Sequence, residues 1–173
     1  MLGKFVSLNL GLLALALSPA VAPAEVLDVA DNGFTSRNSV TVSADPGRTY
    51  LAVVEKIGKW WDPAHTWSGD AANLSIETNP RGCFCENLPG QGFVRHMTVV
   101  YAAPGQMLRM EGGLGPLQAM AVAGSMTWTF QQAEKGTAVA VRYNVGGYNP
   151  GGFKDLAPAV DSVLRGQLER LKR

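Results

Sequence analysis

The side chains most able to do chemistry lie in two stretches of this 173-residue chain. One holds Cys83, Cys85, Glu86, Arg95 and His96. The other is Lys59-Trp60-Trp61-Asp62-Pro63-Ala64-His65-Thr66-Trp67-Ser68-Gly69-Asp70, with three of the four tryptophans and one of the two histidines. On a strand, Cys83 and Cys85 share a face with their Cα atoms ~6.7 Å apart. A disulfide rarely spans more than about 7 Å, so a bridge between them requires a bulge. Buried reduced thiols and metal ligation are the alternatives. Metal would need two further ligands, His65 and His96 are the only imidazoles, and the spacing is not that of a zinc pair.

Glu86 and Arg95 face each other if the hairpin closes symmetrically about Asn87–Gly92. Phe84, Glu86, Phe93, Arg95 and Met97 then share one face, and Cys83, Cys85, Val94, His96 and Thr98 the other. Inside a cavity, such a charged pair could orient a polar ligand group or act as acid and base. On the solvent face it is a cross-strand ion pair of small value, and a one-residue slip exchanges the two outcomes. Asp62, His65 and His96 are ingredients of proton transfer, but no G-x-S-x-G elbow or cysteine nucleophile motif accompanies them. His96 and Glu86 are therefore candidates for a proton shuttle and no catalytic residue is assigned. Gly146-Gly147-Tyr148-Asn149-Pro150-Gly151-Gly152 lacks phosphate-loop spacing. It reads as a hinge over a cavity mouth or as the turn into a last helix.

The elements that must position these groups follow from periodicity. Ser39 to Ser43 alternates as a strand. Asp45-Pro46 opens a helix over about Pro46 to Ile57, which Gly58 stops. Strands follow at Leu74–Thr78, Cys83–Asn87, Phe93–Tyr101, Gln106–Met110, Ala121–Gln131 and Thr137–Val145, separated by Pro-Gly and Lys-Gly turns. Val26 to Asp31 is a short ordered arm. Leu156, Val160, Val163, Leu164, Leu168 and Leu171 then mark one face of a long C-terminal helix. The expected fold class is α+β: a curved antiparallel sheet of about six or seven strands wrapped on that helix, with one or two short helices after the first strand. Such a sheet on one helix leaves a cavity between them.

Lys4, the apolar run Leu8–Leu17 and Ala22-Pro23-Ala24 read as a signal peptide cleaved after Ala24, leaving residues 25–173 as a single domain. The apolar run is too short to span a bilayer, which takes roughly 20 residues. Removing it takes one of the 15 Lys and Arg residues and balances the rest against 14 Asp and Glu. That argues against nucleic acid as a partner. The expected address is the periplasm or the cell exterior.

The strings Lys59-Trp60-Trp61-Asp62-Pro63, Cys83-Phe84-Cys85-Glu86, Arg95-His96-Met97-Thr98-Val99-Val100-Tyr101 and Gly124-Ser125-Met126-Thr127-Trp128-Thr129-Phe130, in this element order, resemble the helix-grip superfamily. That superfamily comprises START domains, birch-pollen-allergen-like proteins and polyketide cyclases (SRPBCC), and the chain is most similar to a small exported bacterial branch. The resemblance implies a cofactor-free cavity for a small hydrophobic molecule or lipid. Apolar contacts are expected from Trp60, Trp61, His65, Trp67 and Phe84, and from Met107, Met110, Met120, Met126, Trp128 and Tyr148. Glu86, Arg95, His96 and Tyr101 are expected to orient a polar end. A cyclase- or dehydratase-like enzyme using that cavity is the second expectation. An interaction module presenting an exposed Trp60-Trp61 patch to a protein or membrane is the third.

Overall fold

The computed structural model of the chain describes residues 25–173; the segment read as a signal peptide lies outside the described residues. Strands β1 (Glu25–Ala30) and β2 (Gly33–Val42) form a hairpin, followed by helices α1 (Pro46–Glu55) and α2 (Ile57–Trp60). Then come β3 (Leu74–Ile76), β4 (Cys83–Leu88), β5 (Gly92–Ala103), β6 (Met107–Glu111), β7 (Ala121–Ala133), β8 (Gly136–Tyr148) and helix α3 (Leu156–Lys172). The strands make one antiparallel sheet in the order β1-β2-β8-β7-β6-β5-β4-β3, and α3 packs on it, chiefly over β2. This is the α+β helix-grip architecture, with eight strands because the Val26–Asp31 arm is itself a strand. No helix of the described residues is long and apolar enough to cross a membrane.

Binary patterning builds most of the sheet. In β7, Met126, Trp128 and Phe130 are buried while Thr127 and Thr129 turn outward. Strand β2 is longer than its sequence pattern suggests. It starts at Gly33, not Ser39, because its inward residues Ser36 and Asn38 are polar and hide the alternation. Both are buried against α3, where Ser36 Oγ (2.7 Å) and Asn38 Nδ2 (2.9 Å) donate to Asp161 Oδ1. Buried polar groups persist when they find such partners.

Helix α1 opens as expected, with Asp45 accepting from the Arg48 N–H at 2.9 Å and Pro46 in the first turn. Its end differs from expectation. Gly58 does not stop a helix but lies inside α2, where a Cβ would stand 2.8 Å from the Ala71 carbonyl oxygen. The requirement there is close packing, not a left-handed cap. The glycine-rich stretch also differs: β8 runs through Gly146 and Gly147 to Tyr148, pairing Gly146 with Gly33 and Ala123.

Candidate ligand-binding site

An apolar cavity of about 320 Å³ opens between α3 and the β4–β5 end of the sheet. Trp61, Trp67 and Phe84 supply rings, Leu114 to Leu117 a wall, and Leu156, Val160, Val163 and Leu164 the α3 side. His65, Thr66 and His96 are its polar lining residues.

The aromatic corner is held from two sides. From α3, Gln167 Oε1 accepts the Asp62 N–H at 2.8 Å, and Arg170 Nε donates to the Trp60 carbonyl at 2.9 Å. Asp62 caps the short turn Pro63–His65 by accepting the Ala64 N–H at 3.0 Å. The Trp61 indole N–H donates to the His65 carbonyl at 3.0 Å. From β4, fully buried Glu86 accepts the Trp67 N–H at Oε2 (3.1 Å) and the Ser68 N–H at Oε1 (2.5 Å). The opposite wall is anchored through Tyr143, whose hydroxyl donates to the Gly112 carbonyl (2.9 Å) and accepts the Leu114 N–H (3.0 Å). Burial raises the Tyr143 phenol to about 12. Gly124 makes room for that ring, since a Cβ there would stand 2.5 Å from it.

The symmetric hairpin expected for Glu86 and Arg95 does not form. Phe84 pairs with Met97 but Cys85 pairs with Arg95, so His96 is an extra residue bulged into β5. A bulge re-aims side chains. His96 and Met97 both turn inward, and Arg95 is left exposed, across from Cys85. The partner of Glu86 is therefore His96, with Nε2 at 2.9 Å from Oε2 and both side chains buried. A second irregularity between Val99 and Tyr101 sends Tyr101 outward, over which the Arg109 guanidinium lies 6.0 Å from the ring centroid. Cys83 and Cys85 are joined in a disulfide with Cα atoms 5.4 Å apart, opposite the His96 bulge, so neither thiolate is available to a metal. Among the described residues no three His, Cys, Asp or Glu side chains converge as a metal site.

Electrostatics fix the state of the pair. Burial pushes the Glu86 carboxyl up, but hydrogen bonds from Ser68, Trp67 and His96 outweigh it, and the group sits below the ordinary carboxylate range. Burial depresses His96 from its usual 6.5 more than Glu86 raises it. An ionised carboxylate only accepts, so the shared hydrogen belongs to His96 Nε2 and the neutral ring keeps a lone pair on Nδ1. That Nδ1 is buried with no hydrogen-bond partner among the described residues. Both groups bind protons less readily folded than unfolded, so stability falls with acid. We expect the loss to begin as pH drops below about 6.5, through His96, and to steepen below about 4.5, through Glu86, at no more than about 1.4 kcal/mol per pH unit for each proton. Urea denaturation across pH checks this, and a His96→Phe variant should lose the first phase and show a smaller second one, since one of the hydrogen bonds holding Glu86 down goes with the ring.

The structure brings Trp61, His65, Trp67, Phe84 and His96 to the cavity, with Glu86 directly behind. Trp60, Trp128, Met110 and Met126 are buried in the core, Met107 and Met120 are half-buried outside the lining, and Tyr148 is 72% exposed. The exposed Trp60-Trp61 patch is corrected outright. Trp60 is 6% and Trp61 5% exposed, because Trp60 packs edge-on against Trp61 (5.6 Å) and Trp128 (6.0 Å). No residue of Gly146–Gly152 lines the cavity. Sequence reasoning missed Leu114–Leu117 and the cavity role of Leu156, Val160 and Val163; the α3 stripe was the available signal. A separate polar depression of about 630 Å³ lies on the outer sheet face, where Arg37, Arg142, Thr127 and Arg109 stand in register across β2, β8, β7 and β6.

No protein-family model matches the chain, and no curated protein matches it either. Solved structures do. Protein MLL2253 from Mesorhizobium loti superposes with a TM-score of 0.56 at 15% identity, over 80% of this chain and 93% of that one. DynU16, from the dynemicin biosynthetic locus, gives 0.55 at 17% identity, over 80% of this chain and 46% of its own. The di-domain ARO/CYC protein StfQ of the steffimycin biosynthetic pathway gives 0.55 at 15% identity, over 82% and 50%. The chain thus spans about half of the latter two. At these identities the likeness establishes the helix-grip fold.

Proposed function

We propose that this chain binds a small hydrophobic or amphipathic molecule in the cavity between α3 and the β4–β5 end of the sheet, without a cofactor. The observation that carries this reading is an apolar cavity of about 320 Å³ with one buried polar focus, the Glu86–His96 pair. Ligand sites are typically apolar clefts with a few placed polar groups. The leader-like stretch before Glu25 supports placing the binding event in the periplasm or outside the cell.

A cyclase- or dehydratase-like use of the same cavity is the second reading. It is favoured by the oriented His96, whose free Nδ1 is the proton-accepting atom such chemistry needs, and by the dynemicin-locus and ARO/CYC neighbours. A carrier releases its ligand unchanged; an enzyme returns it altered, with a rate that falls on protonation of His96.

Native mass spectrometry of the purified chain, followed by organic extraction, tests the binding reading. We expect one small organic molecule per chain, or stoichiometric uptake of an added apolar one. Val163→Trp, which fills the cavity from α3, should weaken that uptake at least about tenfold, and because Val163 is only half-buried and borders open cavity space the added ring has room without displacing the core. Equal uptake by the Val163→Trp variant would remove the cavity from the account.

A further inference from the structure

We infer that the cavity selects a neutral ligand that donates an O–H or N–H hydrogen to His96 Nδ1, and that it rejects carboxylates. The inference rests on the binding reading above and deepens it. His96 is 4% exposed and is a lining residue of the cavity, and its buried Nδ1 has no hydrogen-bond partner among the described residues. Its other nitrogen is committed to Glu86. Glu86 is in turn fixed by the Trp67 and Ser68 N–H groups, so the ring cannot exchange partners without breaking the corner. A buried acceptor left unpaired is costly, and the group best placed to relieve it is a donor on whatever fills the cavity.

The same geometry argues against an anion. No Lys or Arg lines the cavity, and Arg95, the nearest in sequence, is exposed on β5. An ionised ligand would be buried without a counter-charge and would meet a lone pair backed by the Glu86 carboxylate. His65 is the only other ionisable lining group, and it is exposed. The Trp61, Phe84 and Trp67 rings among the lining residues favour a flat apolar body behind the donor, as in a phenol or a stable enol. Glu86 is a positioning residue: it holds the hydrogen on Nε2 and so keeps Nδ1 an acceptor.

Three probes of one shape test this: naphthalene, 2-naphthol and 2-naphthoate, titrated at neutral pH against the intact domain with Trp fluorescence or calorimetry as the readout. We expect 2-naphthol to bind about tenfold or more tighter than naphthalene, and 2-naphthoate to bind more weakly than either. His96→Phe removes the acceptor and should abolish the advantage of naphthol over naphthalene. Glu86→Gln, which can donate to Nε2 and move the ring hydrogen to Nδ1, should narrow the gap between naphthol and naphthoate. A purely structural Glu86 would leave that ratio unchanged. Naphthalene binding with naphthol no tighter, or naphthoate tightest of the three, would overturn the inference and leave the cavity standing as a binding site. Failure of both naphthalene and naphthol to bind would overturn the two together. The wild-type comparison needs no variant, so misfolding of either mutant does not blunt it.

Discussion

Glu86→Ala is expected to destabilise the protein by about 3–5 kcal/mol, the range for removing one partner from a buried charged network. Glu86 is fully buried, and three donors converge on it: the Trp67 and Ser68 N–H groups and His96 Nε2. Alanine leaves all three without an acceptor and opens a void beneath the corner. Each unpaired buried donor costs roughly 1–3 kcal/mol, and partial relaxation of the Trp67–Ser68 turn toward solvent keeps the total below their sum. The urea midpoint should fall with little change in slope. Loss below about 1 kcal/mol would mean that the Trp67–Ser68 turn finds other acceptors and that Glu86 does not staple the corner.

Trp60→Ala is expected to cost a comparable ~3–5 kcal/mol, the range for an aromatic-to-alanine change in a core. The Trp60 ring sits between Trp61 and Trp128, and its indole N–H donates to the Ala52 carbonyl at 3.1 Å. Losing it removes a buried ring, two edge-on aromatic contacts and the link from α2 back to α1. A thermal or urea melt decides between this and the surface-patch expectation, under which the substitution would be nearly neutral.

The contrast between these two residues shows what the sequence could and could not disclose. The alternation of the strands, the Asp45-Pro46 start of α1 and the α3 stripe are local signals, and an α+β antiparallel sheet covered by a C-terminal helix follows from them. The partner of Glu86 is not local. It depends on one bulged residue, and a bulge has no periodic signature: Arg95, His96 and Met97 read as an ordinary strand until the register of β4 and β5 is seen. The result is that a charged pair with Arg95 on one face becomes a carboxylate–imidazole pair inside. In the same way, Ser36 and Asn38 look like solvent-facing residues until Asp161 of α3 is placed over them. Trp60 and Trp61 look alike in sequence, yet only Trp61 reaches the cavity, because α2 ends between them and Trp61 turns to extended backbone. The Cys83–Cys85 bridge was one of three open outcomes because it hinged on that same local irregularity.

The account stands on where a ligand sits. A titration of the isotopically labelled domain with 2-naphthol, followed by amide and imidazole NMR, measures that directly. We predict shifts confined to Trp61–Trp67, Leu114–Leu117, Leu156–Leu164 and the His96 ring, with Nε2 carrying the hydrogen before ligand is added and Nδ1 moving most as it binds. Shifts gathered instead around Arg37, Arg109 and Arg142 on the outer face, or an unperturbed His96 ring at saturation, would contradict it.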